Sequence, residues 1–149
     1  MNQTSIPAGF EPAKRVDPFL DLFGPIYVKR DGERRIVATR VVEKHLNTRG
    51  IVHGGMLVTL ADSALGINLA YFGDPPRPMV TVSLTTDFVY AANLGDWIEA
   101  HADIQKIGAR LAFANCYLQV GDKRILRASG VFAIVAASTS IPGEERFDG

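Results

Sequence analysis

The chain combines short β-type stretches with one long apolar segment. Residues 25–30 (PIYVKR) and 34–46 (RRIVATRVVEKHL) are rich in β-branched residues, and the turn Asp31-Gly32 between them is typical of a hairpin. Between residues 54 and 73, apolar side chains recur at intervals of three and four, which is the period of a helix. These apolar side chains would occupy most sides of the helix. We therefore predict two strands followed by a largely buried helix of about five turns.

Four further β-like stretches follow the helix and are separated by turn-forming sequences. They cover residues 79–90, 96–108, 110–121 and 124–137. Within residues 97–104, polar and apolar side chains alternate, which indicates an antiparallel strand with one covered face and one polar face. The order of two strands, one long helix and four strands predicts an α+β fold, with one helix buried against a curved antiparallel sheet.

The two ends of the chain lack this patterning. Residues 1–24 contain three prolines and are predicted to form an arm, in which Asp17 and Pro18 could begin one short helical turn. The segment 138–149 is polar and is predicted to be a flexible tail. The remaining residues, 25–137, are expected to form one domain, because 149 residues suffice for a single core.

Charge and composition narrow the class of protein. The 16 basic and 16 acidic residues give a formal net charge of zero, which argues against a nucleic-acid-binding surface that neutralises many phosphates. Cys116 is the only cysteine, so an intrachain disulfide is impossible, and its strand context favours a packed core thiol. No segment has the length of a membrane span, and the N-terminus lacks the apolar core of a signal peptide. We expect a soluble, cytoplasmic protein.

One acid interrupts the apolar helix. Asp62 is the only charged residue between Met56 and Phe72, so it has no charged helix face to join. Burial disfavours a charged carboxylate unless donors or cations compensate, and perturbed carboxylates concentrate at functional sites. Asp62 is therefore the first candidate for a catalytic group.

The predicted helix begins at Gly54-Gly55. A helix N-terminus presents unpaired backbone N–H groups, and residues without side chains would let a substrate carbonyl approach them, as in an oxyanion hole. The ring of His53 could hydrogen-bond nearby backbone and hold this turn. Asn47 lies in the preceding loop, where asparagine is more often a turn former than a catalytic group.

Taken together, these residues resemble the active-site segment of the hotdog-fold acyl-CoA thioesterases of the PaaI type. The resemblance rests on the pattern N-x-x-G-x-x-H-G-G at residues 47–55 and T-L-x-D at residues 59–62, and it spans residues 25–136. It implies a hotdog fold, in which a curved antiparallel sheet wraps one long central helix, and hydrolysis of an acyl-CoA thioester. It also implies a homodimer with shared active sites, often paired into a homotetramer.

The resemblance assigns a role to each motif residue. Asp62, supplied by the other subunit's helix, would be the essential carboxylate and would act either as general base or as nucleophile; both alternatives remain open. The backbone N–H at Gly54 or Gly55 would polarise the thioester carbonyl. Asn47 would position the water or the thioester.

Further candidates come from the strands that follow. Related enzymes have a Ser or Thr on the next strand that assists the water; Thr81 is the nearest match, and Ser83, two residues on, is expected to face the same side. We assign substrate binding to His53, Ser83, Lys106 and Arg110, the last two as partners for the phosphates of coenzyme A. No metal and no cofactor are expected, because coenzyme A is part of the substrate.

Two other hotdog functions compete with hydrolysis. A sensor would bind acyl-CoA without cleaving it, but the retained Asp62 argues against this. A dehydratase or hydratase uses a catalytic histidine in a different motif, which His53 followed by two glycines does not resemble. The expected partners are the acyl-CoA substrate and further copies of the chain, with no nucleic acid and no membrane.

Overall fold

The computed structural model of the protein describes residues 5–14 and 17–136. The predicted tail lies outside these residues. In chain order the elements are β1 (Glu11–Pro12), α1 (Pro18–Phe23), β2 (Tyr27–Asp31), β3 (Arg34–Arg40), a 3-10 turn (Glu43–His45), α2 (Gly54–Ala70), β4 (Met79–Phe88), β5 (Trp97–Ile107), β6 (Leu111–Val120) and β7 (Lys123–Ile134).

The strands form one sheet in which every pair is antiparallel. Their order is β1-β2-β3-β5-β6-β7-β4, so the sheet stays open and β4 forms one of its edges. Helix α2 packs across one face and contacts β3, β4, β5, β6 and β7. This is the hotdog arrangement, and it confirms the predicted α+β fold with one long helix wrapped by a curved antiparallel sheet.

Helix α2 supplies the centre of the core, as its apolar pattern predicts. Its side chains from Met56 to Leu69 are buried on several sides of the helix, including Leu60 and Leu65, which are fully covered. Helix α2 meets β7 at Gly130, where an added Cβ would lie 2.8 Å from the ring of Phe132 and 3.0 Å from Leu65. A side chain at residue 130 would therefore displace one of these two core side chains.

A buried asparagine completes the contact between α2 and β3. The pairing of β3 with β5 begins at Val37, so the backbone of Arg35 has no strand partner on that side. Asn68 replaces the missing strand: its Oδ1 accepts from the Arg35 N–H at 2.9 Å, and its Nδ2 donates to the Arg35 carbonyl at 2.9 Å. Nδ2 also donates to the Ala64 carbonyl. The polar groups are thereby satisfied within the core.

The second predicted strand ends earlier than its pattern indicates. β3 stops at Arg40, and Glu43–His45 form a 3-10 turn, so the prediction of a strand reaching residue 46 is wrong. The cause is His45, which is buried and accepts a hydrogen bond from the Val42 N–H at its Nδ1. Because Nδ1 accepts, the proton is on Nε2, which donates to the Phe23 carbonyl at 2.6 Å. A long-range contact thus overrides local strand propensity.

The N-terminal segment contains more structure than its pattern predicts. Helix α1 starts with Pro18 and is capped by Asp17, whose Oδ1 accepts from the Leu20 N–H at 2.8 Å, as expected. The two-residue strand β1 was not predicted; it pairs with β2 at the edge of the sheet, a position that tolerates Pro12. In the described part of the chain, neither helix is long and apolar enough to cross a membrane.

A β-bulge in β4 changes which side chains face the helix. Thr81 pairs with Phe132, whereas Ser83 pairs with the next residue of β7, Val131. Paired residues share a face and neighbouring residues point to opposite faces. Thr81 therefore lies on the helix side with Phe132, and Ser83 lies on the outer face with Val131. The expectation that Thr81 and Ser83 face the same side is wrong.

Candidate active site

Asp62 lies on the side of α2 that faces the edge strand β4. Its Oδ1 accepts a hydrogen bond from Thr81 Oγ1 at 2.7 Å, which connects the two residues that the resemblance nominates. The carboxylate is only half-buried in the single chain, less than its apolar sequence context indicates. The reason is that β4 is the last strand, so no further strand of this chain covers that side of the helix.

A cavity of about 540 Å³ opens beside this pair. Its wall contains the polar residues Asp17, Asp62, Ser63 and Thr81, and Arg77 lies on its exposed side. The remaining lining is largely apolar or small, and includes Leu20, Gly66, Ile67, Ala70, Met79 and Phe132. An apolar cavity with a few convergent polar groups is typical of a binding site for a small molecule.

The start of α2 has one open backbone donor. His53 is the N-cap, and its Nδ1 accepts from the Gly55 N–H at 2.9 Å, so the expectation that this ring holds the turn is confirmed. The N–H groups of Met56 and Leu57 bond to the His53 carbonyl. Among the described residues, the Gly54 N–H has no hydrogen-bond acceptor. Of the two glycines, Gly54 is therefore the better placed to bind a substrate oxygen.

The ring of Phe88, at the end of β4, covers Gly54. A Cβ built on Gly54 would lie 3.2 Å from Phe88 Cε1, which is a tight contact. Phe88 is itself 56% exposed, so one face of the ring remains open to a ligand or a second chain. A side chain at residue 54 would displace this ring.

Asn47 organises the loop before the helix. Its Oδ1 accepts from the Arg49 N–H at 2.8 Å and from the Ile51 N–H at 3.3 Å, and its own N–H donates to the Ile51 carbonyl. Gly50 closes the turn with a φ of 79°, a conformation that favours glycine. The turn-forming role of Asn47 is thus visible, whereas its proposed contact with the substrate stays a prediction.

The other predicted binding residues are not brought to this cavity. Ser83 is exposed on the outer face of the sheet, and Lys106 shares that face because it pairs with Phe113, which pairs with Val131. Arg110 is exposed in the turn between β5 and β6. None of the three lines the cavity beside Asp62. Their assignment to substrate binding stays a prediction.

Among the described residues, burial shifts the pKa values of His45 and Cys116, which lie outside the candidate site. Desolvation lowers the pKa of His45 below its ordinary value of 6.5, although its hydrogen bond to Phe23 acts in the opposite direction. Burial raises the pKa of the Cys116 thiol to about 12, so this cysteine is a core residue, as predicted, and not a nucleophile.

One chain alone does not bring the open donor and the carboxylate together. Gly54 and Asp62 are eight residues apart on the same helix, which places them about 12 Å apart along its axis at 1.5 Å per residue. A thioester carbonyl that accepts from one cannot be attacked through the other in the same chain. This separation points to a second chain.

Sequence reasoning missed several residues of this region. Phe88 and Gly66 gave no signal, because one belongs to a strand pattern and the other to a helix pattern. Lys123, one of several basic residues at strand ends, has its Nζ 4.8 Å from the ring centre of Tyr90, two residues beyond Phe88. Tyr90 and Lys123 meet because β4 and β7 are neighbours in the sheet although β5 and β6 separate them in the chain, and local patterns do not report sheet order.

Comparison with known proteins supports the same fold. The family model of the thioesterase superfamily matches residues 49–125. PA0474 of Pseudomonas aeruginosa, provisionally named as an esterase, is 47% identical over 129 residues, which are 86% of this chain and 96% of that protein. Acyl-coenzyme A thioesterase 13 of the mouse is 35% identical over 83 residues, or 56% of this chain and 59% of its own length.

Solved structures give a concordant result. A mutant of the phenylacetic acid degradation protein PaaI from Thermus thermophilus superposes with a TM-score of 0.72 and 28% sequence identity. The superposition covers 80% of this chain and all of the other. Thioesterase superfamily member 2 of the zebrafish superposes with a TM-score of 0.74 at 26% identity, over 80% of this chain and 88% of that one.

Proposed function

The chain belongs to the thioesterase superfamily as a PaaI-type hotdog protein, and from this we propose that it hydrolyses an acyl-CoA thioester to a free carboxylic acid and coenzyme A. Thioester hydrolysis is the activity that the name of the matching family states. The acyl-CoA substrate is suggested by the mouse acyl-coenzyme A thioesterase 13. The observation that carries the proposal is the hydrogen bond between Asp62 and Thr81 at the wall of an apolar cavity.

The proposed chemistry uses groups that the chain already holds. The Gly54 N–H donates to the thioester oxygen and stabilises the negative charge that develops there; one such donor is typically worth about 10²–10³ in rate. Asp62 acts as general base on a water molecule or as nucleophile, and Thr81 fixes one carboxylate oxygen so that the other faces the reactants. Water bonds to the carbonyl carbon as the C–S bond breaks, or Asp62 does so first and water then cleaves the resulting anhydride. Coenzyme A leaves as the thiol with a proton that comes from the water. The reaction balances with water alone, so no cofactor enters the proposal.

The proposed sharing of the active site between two subunits is based on the edge strand β4. β4 is ten residues long, and Val80 and Val82 on it are 49% and 59% exposed. An exposed apolar edge of this length is a template for pairing with another strand. Two copies of β4 that pair antiparallel about a two-fold axis bring the start of one strand to the end of the other. Asp62 with Thr81 of one subunit would then meet Gly54 with Phe88 of its partner.

A second contact surface is available for the predicted tetramer. On the outer face, Leu111 is 40% exposed and Phe113 is 38% exposed, next to the exposed Val80 of β4. Exposed apolar residues that adjoin one another commonly mark an interface. We propose that this face joins two dimers. The cytoplasmic location and the absence of other partners stay predictions.

The route for coenzyme A is proposed to run past the start of α2. Tyr90 is 53% exposed and carries the Lys123 ammonium over its ring. An aromatic ring beside a cation suits the adenine ring and the phosphates of coenzyme A. These two residues join Lys106, Arg110, His53 and Ser83 as candidates for binding the substrate. Asn47 would orient the water or the thioester through its side-chain amide.

Release of free coenzyme A thiol from a panel of acyl-CoAs tests the function. The Asp62→Asn variant is expected to lose about 10²–10⁴ in kcat, the range of a general base, while it still binds acyl-CoA and keeps its fold. Asp87→Asn is the control, because Asp87 is an exposed acid on the outer face of β4, where it pairs with Arg127.

The possible results separate the two functions. An Asp62→Asn enzyme as active as the parent would remove Asp62 from the mechanism. Binding of acyl-CoA without release of thiol by the parent protein would reject hydrolysis and favour the sensor.

A further inference from the structure

The cavity beside Asp62 is much larger than the smallest acyl groups. A cavity of about 150 Å³ holds a benzene molecule, whereas this one measures about 540 Å³. An acetyl group would leave most of it unfilled. In the single chain, this volume favours a bulky acyl group.

The space exists because two positions on α2 carry almost no side chain. Asp62, Gly66 and Ala70 follow one another at intervals of four, so they lie along one side of the helix and all three line the cavity. Glycine in the middle of a helix is destabilising relative to alanine. The presence of glycine rather than alanine at residue 66 therefore requires an explanation other than helix stability.

Packing within the chain does not supply that reason. A Cβ on Gly66 would meet only Phe132, at 3.5 Å, which is an ordinary contact. The contrast with Gly130 is clear, because a Cβ there would be 2.8 Å from the same ring. A side chain at residue 130 would displace Phe132 or Leu65, whereas residue 66 has room for a methyl group.

The chemistry of the wall defines what would fill the space. Leu20, Ile67, Met79 and Phe132 surround the small pair with apolar atoms. The one basic group of the lining, Arg77, is exposed to solvent. An uncharged hydrocarbon group, linear or aromatic, matches this wall better than an acyl group that ends in a carboxylate.

We propose that Gly66 and Ala70 set the depth of the acyl subsite, and that the substrate is an acyl-CoA whose acyl group is apolar and at least as large as a phenyl ring. This inference rests on the proposed hydrolysis. It adds the size and polarity of the acyl group, and it identifies Gly66 and Ala70 as the residues that make room for that group.

The test compares kcat/KM for acetyl-CoA, octanoyl-CoA, benzoyl-CoA and succinyl-CoA. The parent enzyme is expected to prefer the octanoyl or benzoyl substrate by at least about 10-fold, since one methylene in an apolar pocket is worth about 10–200-fold. Gly66→Leu is expected to lower kcat/KM for these two substrates by at least about 10-fold more than it lowers kcat/KM for acetyl-CoA.

Two further variants guard against misfolding. Gly66→Ala should fold, because its Cβ makes an ordinary contact, and should show a smaller loss of the same selectivity. Ala70→Leu fills the cavity from the neighbouring position. Gly73→Ala is the control: it lies outside the cavity lining, and its Cβ would come no closer than 4.0 Å to any atom.

The outcomes distinguish this inference from the proposed function. If Gly66→Leu and Ala70→Leu lower kcat/KM equally for all four substrates, or do not lower it at all, the inference is overturned although the proposed hydrolysis stands. A parent enzyme that prefers succinyl-CoA or acetyl-CoA would overturn it as well. If the parent enzyme releases no thiol from any substrate, it is the proposed function that fails.

Discussion

Gly54 meets two demands at once. It leaves a backbone N–H open at the start of α2, and it lets the ring of Phe88 approach to a distance that a side chain would crowd. These demands can be separated by substitution, because proline and alanine both add a Cβ but only proline removes the N–H.

Gly54→Pro is expected to lower kcat about 10²–10³-fold relative to Gly54→Ala, the cost of one oxyanion donor. Proline suits this first helical position, and the ψ of 131° at His53 is compatible with a following proline. Steady-state kinetics of both variants, with circular dichroism to verify the helix, provide the measurement. Equal activities would show that the N–H has no part in catalysis.

Part of the site could be predicted from the sequence because its residues depend on local structure. Asp62 stands out in an apolar helix, and His53 and Gly54 mark where that helix begins. The side occupied by Ser83 depends on a bulge that strand alternation does not reveal. Gly66 reads as an ordinary helix residue until the cavity beside it is seen.

At the level of elements, His45 connects α1 to the start of α2. Its Nε2–H donates to the Phe23 carbonyl at the end of α1, and its own carbonyl accepts from the His53 N–H at 2.8 Å. Periodicity predicted the long helix and the strands, because burial on one face is a local pattern. It missed β1 and the 3-10 turn, because both depend on partners far along the chain.

The stability of this connection should depend on pH. The pKa of His45 is lowered on folding, so below its ordinary value of 6.5 the unfolded chain binds the proton more readily than the folded chain does. The contribution of His45 is intact above pH 6.5 and is lost as the pH falls toward the folded pKa. Thermal unfolding at about pH 7.5 and about pH 5.5 should show a lower midpoint at the acidic value.

A variant without the titrating ring isolates the effect. His45→Gln is expected to be less stable than the parent at neutral pH, because it breaks the two ring hydrogen bonds, but to lose less on acidification. His101→Gln serves as the control, since His101 lies on the outer face beside Glu99. An unchanged pH dependence in His45→Gln would exclude this histidine as the source.

For the whole molecule, the central proposal is a site built from two chains. If Gly54 and Asp62 act in different subunits, two inactive variants should restore each other. A mixed dimer of Gly54→Pro and Asp62→Asn contains one site with both residues intact. The purified mixed dimer is then expected to show about half of the parent activity, because one of its two sites works. The unseparated mixture from random pairing of equal amounts would show about a quarter, because only half of its dimers are mixed.

Coexpression of the two variants with different affinity tags, followed by thiol-release assays on the doubly purified dimer, provides the measurement. Each variant purified alone is the control and should be inactive. A mixed dimer without activity would place both residues in one chain. A parent protein that sediments as a monomer would contradict the shared site directly.

The bulge in β4 limits how this strand can be rewritten. Thr81 and Leu84 lie on the same side although they are three residues apart. Deletion of Val82 would restore strict alternation with Thr81 still on the helix side, whereas a regular strand of unchanged length would turn the Thr81 hydroxyl away from Asp62. Ser83 cannot take over from Thr81, because it lies on the outer face of the sheet. An alignment of this strand with that of a relative must therefore place the bulge residue correctly. A gap in the wrong position would assign residues of the outer face to the face that carries Thr81.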